Sequence, residues 1–142
     1  MTKAISPAIH VVKIGHVESV LQDLDSAPRQ ADEGAPQAWL VFGVTMTEAL
    51  QGLRTGARVI VITWLDRARR DVLTVHPRGD DARPLTGVFS TRSPHRPNPI
   101  GIHTVRITAI DGLRVGVDRL DAIDGTPIID IKPLLSEAIV ER

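Results

Sequence analysis

Residues 102–117 read "IHTVRITAIDGLRVGV". Two β-rich runs, 102–110 and 113–117, stand on either side of Asp111-Gly112, and an Asp-Gly pair in that position is the strongest short-range signal for a β-hairpin. The same composition recurs along the chain. Runs at 9–17, 38–44, 58–65 and 72–75 are short and rich in Val, Ile and Trp, and 86–91 and 128–131 continue the series. Gly, Pro and Asp punctuate nearly every junction, which predicts a sandwich or barrel of many short strands. One helix is expected among them. Thr45 followed by Glu48 makes a capping box, Met46, Ala49, Leu50 and Leu53 mark an apolar face, and Gly56 ends it. No internal repeat or low-complexity linker divides the chain, and "SAPRQADEGA" at 26–35 reads as the one mobile loop. The expectation is a mainly-β, single small domain over 1–142 with its core at about 9–135.

Composition narrows the chemistry. The 142 residues are 42% hydrophobic and 24% charged, ordinary for a globular protein. There is no cysteine, so neither a disulfide framework nor a thiolate metal site is available. His10, His16, His76, His95 and His103 show no HxH or HExxH spacing, so no metal is expected. The first residues carry no signal-peptide pattern, and the best apolar stretch, 59–65, is far too short to span a bilayer. A cytoplasmic protein without membrane contact is expected. Net charge is zero, yet Arg67, Arg69, Arg70, Arg78, Arg83, Arg92, Arg96 and Arg106 face only Asp71, Asp80 and Asp81 over the same span. Such a local stripe can meet phosphates, with Arg69, Arg70 and Arg96 as candidate RNA contacts, although a solvated surface explains it equally simply.

Two motifs carry chemistry. "GVFSTRSPHRPNPIG" at 87–101 holds Pro94, Pro97 and Pro99 among Arg92, His95, Arg96 and Asn98. Proline stiffens its own position and the one before it, so such a loop holds polar groups at low entropic cost, as a polar ligand requires. A rigid corner between strands is the plainer reading. "LDAIDGTPIIDIKP" at 120–133 places a carboxylate and a hydroxyl in a turn with exposed amides, suited to ribose hydroxyls or an amino group, unless Asp124-Gly125 is another hairpin turn. Asp130 and Lys132 read as a structural ion pair. "PRQ" at 28–30 is by itself only an exposed loop. There is no GxGxxG, Walker loop or GxSxG elbow. With two Trp, two Phe and no Tyr, a base-stacking platform is poorly supplied.

Together the two long motifs closely resemble the TsaA/TrmO family of S-adenosylmethionine-dependent tRNA methyltransferases, with "IGHVES", "PRQ", Trp64 and "HPRG" as further matches from Ile14 to Pro133. The resemblance implies a compact β-barrel methyltransferase of non-Rossmann type, working as a homodimer with its site near the subunit interface. It implies methylation of N6 of threonylcarbamoyladenosine beside the tRNA anticodon, with S-adenosyl-L-methionine as cofactor. By motif position it implies cofactor contacts at Pro28, Arg29, Gln30, Asp66, Arg67, Arg92, Ile102, Asp124, Gly125 and Thr126. Asp124 is the candidate to orient cofactor or substrate and Arg92 to stabilise charge. Asp66 stands where the family often has His, Leu134 where it commonly has Tyr, and no C-terminal extension like that of larger members is expected. The rival readings are a non-catalytic module binding S-adenosylmethionine or RNA, and a methyltransferase with a small-molecule acceptor.

Overall fold

The computed structural model describes residues 7–23 and 34–135. Eight strands follow in order: β1 Gly15–Glu18, β2 Ala38–Phe42, β3 Arg58–Trp64, β4 Thr74–Val75, β5 Thr86–Gly87, β6 Ile100–Asp111, β7 Arg114–Val117 and β8 Pro127–Pro133. Six of them close a barrel in the order β1-β2-β7-β6-β3-β8, and β4 and β5 form a separate two-stranded ribbon. Each barrel strand contributes an inward side chain exposed by no more than 1%: Val17, Leu40, Val61, Ile107, Val115 and Ile128. Alternation of inward and outward residues along β6, the longest strand, also sends His103 into the interior.

The hairpin forms where expected, displaced by one residue. Asp111 pairs with Arg114, so Gly112 and Leu113 are the central pair rather than Asp111 and Gly112. Gly112 takes φ +61° at the first central position, where a type II′ turn carries glycine. The strand expected over 9–17 shrinks to its last part, because Ile9, Val11 and Val12 are exposed and only Gly15–Glu18 finds partners. Pro127 opens β8, a position where its missing N–H costs the ladder nothing.

The expected helix over 45–56 does not form. Two single turns of 3-10 helix, Val44–Met46 and Glu48–Leu50, stand in its place. Thr45 caps nothing; Gly43 occupies the cap position, and the Thr47 hydroxyl donates to the Val44 carbonyl at 2.7 Å. So short a segment cannot repay α-helix nucleation, and Met46, Leu50 and Leu53 still reach the core through the tighter turns. Among the described residues, no helix is long and apolar enough to cross a membrane.

Two bulges shape the barrel wall. Between β6 and β7 the register runs Ile107↔Val117 and then Ala109↔Gly116, leaving Thr108 unpaired. Between β3 and β8 it runs Ile62↔Asp130 and then Thr63↔Ile128, leaving Ile129 unpaired. Bulges re-aim side chains and concentrate beside binding sites.

Candidate functional site

The turn that carries Asp124 is built from the inside. The Asp124 amide donates to the Leu21 carbonyl at 2.7 Å, Gly125 to Val17 at 2.7 Å and Thr126 to Ile123 at 3.2 Å. The Thr126 hydroxyl, buried, donates to the Ile123 carbonyl at 2.7 Å. The exposed amides and free hydroxyl expected of this motif are therefore consumed by the turn itself, because a buried donor must be paired. One group is left over. Asp124 Oδ1 accepts from the Ser19 amide at 3.0 Å, while its second oxygen has no partner among the described residues. Asp124 and Gly125 line a groove of about 760 Å³ on the outside of β1, β2 and β7, together with His16, Glu18, Trp39 and Gly116.

The same segment that receives Asp124 also receives Arg67. The Arg67 guanidinium donates to the Gln22 carbonyl at 2.8 Å, one residue beyond Leu21. The structure thus brings Asp124, Gly125 and Arg67 onto one short stretch, 17–22. Asp66 lies exposed in the turn after β3. Ile102 projects from the outer wall of β6 opposite Ile62, 52% exposed. Arg92 is exposed, and among the described residues no hydrogen bond or ion pair joins it to the Asp124 turn. Pro28, Arg29 and Gln30 lie outside the described residues, as does most of the loop expected at 26–35.

The proline-rich loop is largely a clasped corner. Arg70 donates from Nε to the Pro97 carbonyl at 2.7 Å and from Nη2 to Asn98 Oδ1 at 3.1 Å, and its guanidinium lies 5.1 Å from the Trp64 ring centroid. The Arg69 amide donates to His95 Nδ1 at 3.0 Å, and the Arg96 amide to the Arg69 carbonyl at 3.0 Å. Arg96 turns its guanidinium back into its own loop, donating to the Val88 and Thr91 carbonyls. Arg69 pairs with Asp71 through two hydrogen bonds of 3.0 and 2.9 Å, which hold the Asp71 carboxyl below its ordinary pKa and the guanidinium above its own. The three arginines expected to meet RNA phosphates are thus engaged within the protein. Counting charges along a sequence cannot see these partners. Of the loop's polar side chains, Arg92 stays uncommitted among the described residues.

A second cluster escaped the sequence reading. Inside the barrel, His103 Nδ1 donates to Asp121 Oδ1 at 2.5 Å, and His103 Nε2 shares a hydrogen bond of 2.8 Å with Thr63 Oγ1. Thr63 and His103 are buried, and Asp121 nearly so. These residues stand 18 and 40 positions from His103, so nothing local announces them. Each belongs to a segment with a candidate site residue: Thr63 precedes Asp66, His103 follows Ile102, and Asp121 precedes Asp124. Gly101 closes the cluster; a Cβ there would sit 2.5 Å from Thr63 Oγ1 and 2.8 Å from His103 Nε2. Among the described residues, no group of three or more His, Cys, Asp or Glu is placed to hold a metal ion.

Comparison with known proteins places this architecture. An Archaeoglobus fulgidus "S-adenosyl-L-methionine-binding protein" is 40% identical over 119 residues, covering 84% of each chain. A second protein of that organism, a "Probable S-adenosyl-L-methionine-binding protein", is 39% identical over 128 residues, which are 90% of this chain and 34% of that one. A crystal structure of TrmO from P. aeruginosa superposes with a TM-score of 0.74 at 29% identity, covering 99% of this chain and 62% of the other. The chain therefore spans about a third of the length of one relative and about three fifths of the solved structure. The family model described as tRNA-methyltransferase O N-terminal domain matches residues 16–138, and the chain belongs to that family.

Proposed function

We propose that this chain is the catalytic domain of an S-adenosyl-L-methionine-dependent methyltransferase acting on N6 of threonylcarbamoyladenosine in tRNA. Family membership supports the reaction class and the RNA substrate, and the names of the relatives support the cofactor. The observation that carries the site is the Asp124 carboxylate, held at one oxygen by the Ser19 amide and, among the described residues, without a partner at the other. The residues suit the cofactor chemically. Asp124 accepts from hydroxyl or ammonium donors, Arg67 and Arg92 match a carboxylate, and the exposed Ile102 offers an apolar face to a heterocycle. Asp66, the exposed Gly125 and the segment Pro28, Arg29 and Gln30 complete the proposed binding set, while Thr126, buried, braces the turn from inside.

When bound, S-adenosyl-L-methionine supplies an electrophilic methyl group. The chain's part is to align the acceptor nitrogen and manage one proton, since positioning alone removes much of such a barrier. N6 of a carbamoylated adenine is amide-like: weakly nucleophilic, with a more acidic proton than a simple amine. Asp124 orients the reacting groups, and Arg92 stabilises the negative charge that develops on the ureido group. Incubation with methyl-labelled cofactor and total tRNA tests the reading. Label is expected in threonylcarbamoylated tRNA and absent from tRNA lacking that modification. No label in either RNA leaves a binding module, and label in a small acceptor alone would equally defeat the assignment.

The proposal includes a homodimer whose second subunit completes the site. Phe89 is 86% exposed, with Leu73 and Leu85 at 67% and 60%, all on or beside the β4–β5 ribbon that leads to Arg92. Apolar groups exposed together mark an interface. Phe89→Glu is expected to yield a folded monomer in sedimentation with methyl transfer lowered at least tenfold, on the order of one lost interface anchor. Full activity in a monomer would refute the shared site.

A further inference from the structure

We propose that the groove on the outside of β1, β2 and β7 seats one unstacked purine base of the RNA against Trp39. This rests on the methyltransferase reading for the identity of the RNA, though not for the existence of the site. Glu18, Trp39 and Gly116 lie abreast on three neighbouring strands, in the register Glu18↔Trp39↔Gly116. Trp39 is half-buried on the outer wall and lines the groove. The Arg114 guanidinium lies 5.0 Å from its ring centroid and holds Glu18 Oε1 at 3.0 Å, yet Arg114 is not among the groove's lining residues. The cation lies over the indole and steadies it, and the ring also lines the groove.

Gly116 keeps the floor beside the ring flat. A Cβ there would sit 3.3 Å from Trp39 Cζ3 and 3.2 Å from Thr108 Oγ1. Thr108 is the residue the β6 bulge leaves unpaired, and it too faces the groove. The same groove is lined by acceptors: Glu18, with His16 Nε2 at 3.8 Å from its carboxylate, and Asp124, whose second oxygen has no partner among the described residues. A rigid aromatic plane with carboxylates in the same groove matches a flat heterocycle with N–H donors at its rim, which N6–H and the ureido N–H of a carbamoylated adenine supply. At about 760 Å³ the groove has room for a nucleoside. A base stacked on Trp39 with its amino edge toward Asp124 would present N6 at the turn proposed to touch the cofactor. Ile102 and Arg67, on other elements, remain for the cofactor itself.

Trp39 and Trp64 are the protein's two tryptophans, so Trp64→Phe makes Trp39 the sole indole reporter. The probe is an anticodon stem-loop RNA bearing threonylcarbamoyladenosine, titrated against the full chain at low salt. Binding is expected to quench Trp39 emission saturably. Trp39→Leu is expected to weaken RNA binding by roughly tenfold or more, the scale of one base–aromatic stack, and Trp39→Phe to recover most of it. Calorimetric affinity for S-adenosyl-L-methionine should not change in either variant. RNA that fails to bind, or binds without quenching, overturns the proposal. So does a Trp39→Leu protein that binds RNA normally, or one that loses cofactor affinity in step, which would give the groove to the cofactor. Should Trp39→Leu not fold, the quenching experiment decides alone. Quenching without any label transfer would sink the methyltransferase reading and leave the base site standing.

Discussion

Gly101→Ala is expected to lower stability by about 3 kcal/mol, while Gly87→Ala changes it by less than about 0.5 kcal/mol. Both glycines lie in strands, so the difference is one of surroundings. At Gly101 the new methyl meets Thr63 Oγ1 at 2.5 Å and His103 Nε2 at 2.8 Å, both fixed in a buried hydrogen-bonded cluster. Neither atom can retreat without breaking the hydrogen bond they share, and His103 is held from its other side by Asp121 at 2.5 Å. The overpacked methyl and the lost hydrogen bond add. At Gly87 an added Cβ meets nothing within 4 Å, and the backbone already sits at φ −60°. Urea unfolding of the two variants beside the parent checks the contrast. Equal stability of Gly101→Ala and the parent would mean that the cluster yields, and its role as a rigid brace between site segments would fall.

Asp124→Asn should fold like the parent and lose on the order of tenfold or more in kcat/KM or cofactor affinity, whereas Asp111→Asn should match the parent in both. The amide oxygen of Asn can still accept from the Ser19 amide, so the turn survives. What disappears is the charge and the acceptor character of the second oxygen, the one group the turn leaves unspent. Asp111 flanks a turn that depends on Gly112, and Asn suits that position as well as Asp. Melting curves and methyl transfer, run for both variants together, are the measurement. Equal activity in the two would make Asp124 a turn residue and no more.

The β framework was legible because each strand advertises itself locally. The runs around 38–44, 58–65 and 102–117 all became barrel strands, and the Asp-Gly signal found its hairpin to within one residue. The helix signal misled because a capping box and an apolar face are local preferences. They do not outweigh a segment whose apolar residues reach the core through two tight turns. The Asp130–Lys132 ion pair, at 3.2 Å, was legible because alternate strand residues share a face. The arginines were legible as charge but their partners were not: Arg70 and Arg96 donate to carbonyls of the loop, which proline-rich backbone leaves short of donors. His103 was visible only as a histidine without metal-ligand spacing. Its partners come from the neighbouring strand β3 and from the segment after β7, and strand pairing at that sequence range is not written in any window of the sequence.

The seam that closes the barrel joins β1 to β8 over just Gly15↔Ile128 and His16↔Pro127, so the first strand waits for the last. During synthesis, residues 15–18 emerge long before residues 127–133 can pair with them, and pairing at such sequence distance is slow even in a finished chain. The amides of Asp124 and Gly125 dock on Leu21 and Val17 beside this seam, so the turn depends on contacts between the two ends of the barrel's chain order. A nascent chain stalled before β8 would hold five of the barrel's six strands and the residues of the Asp124 turn, but not the strand that closes the wall beside them.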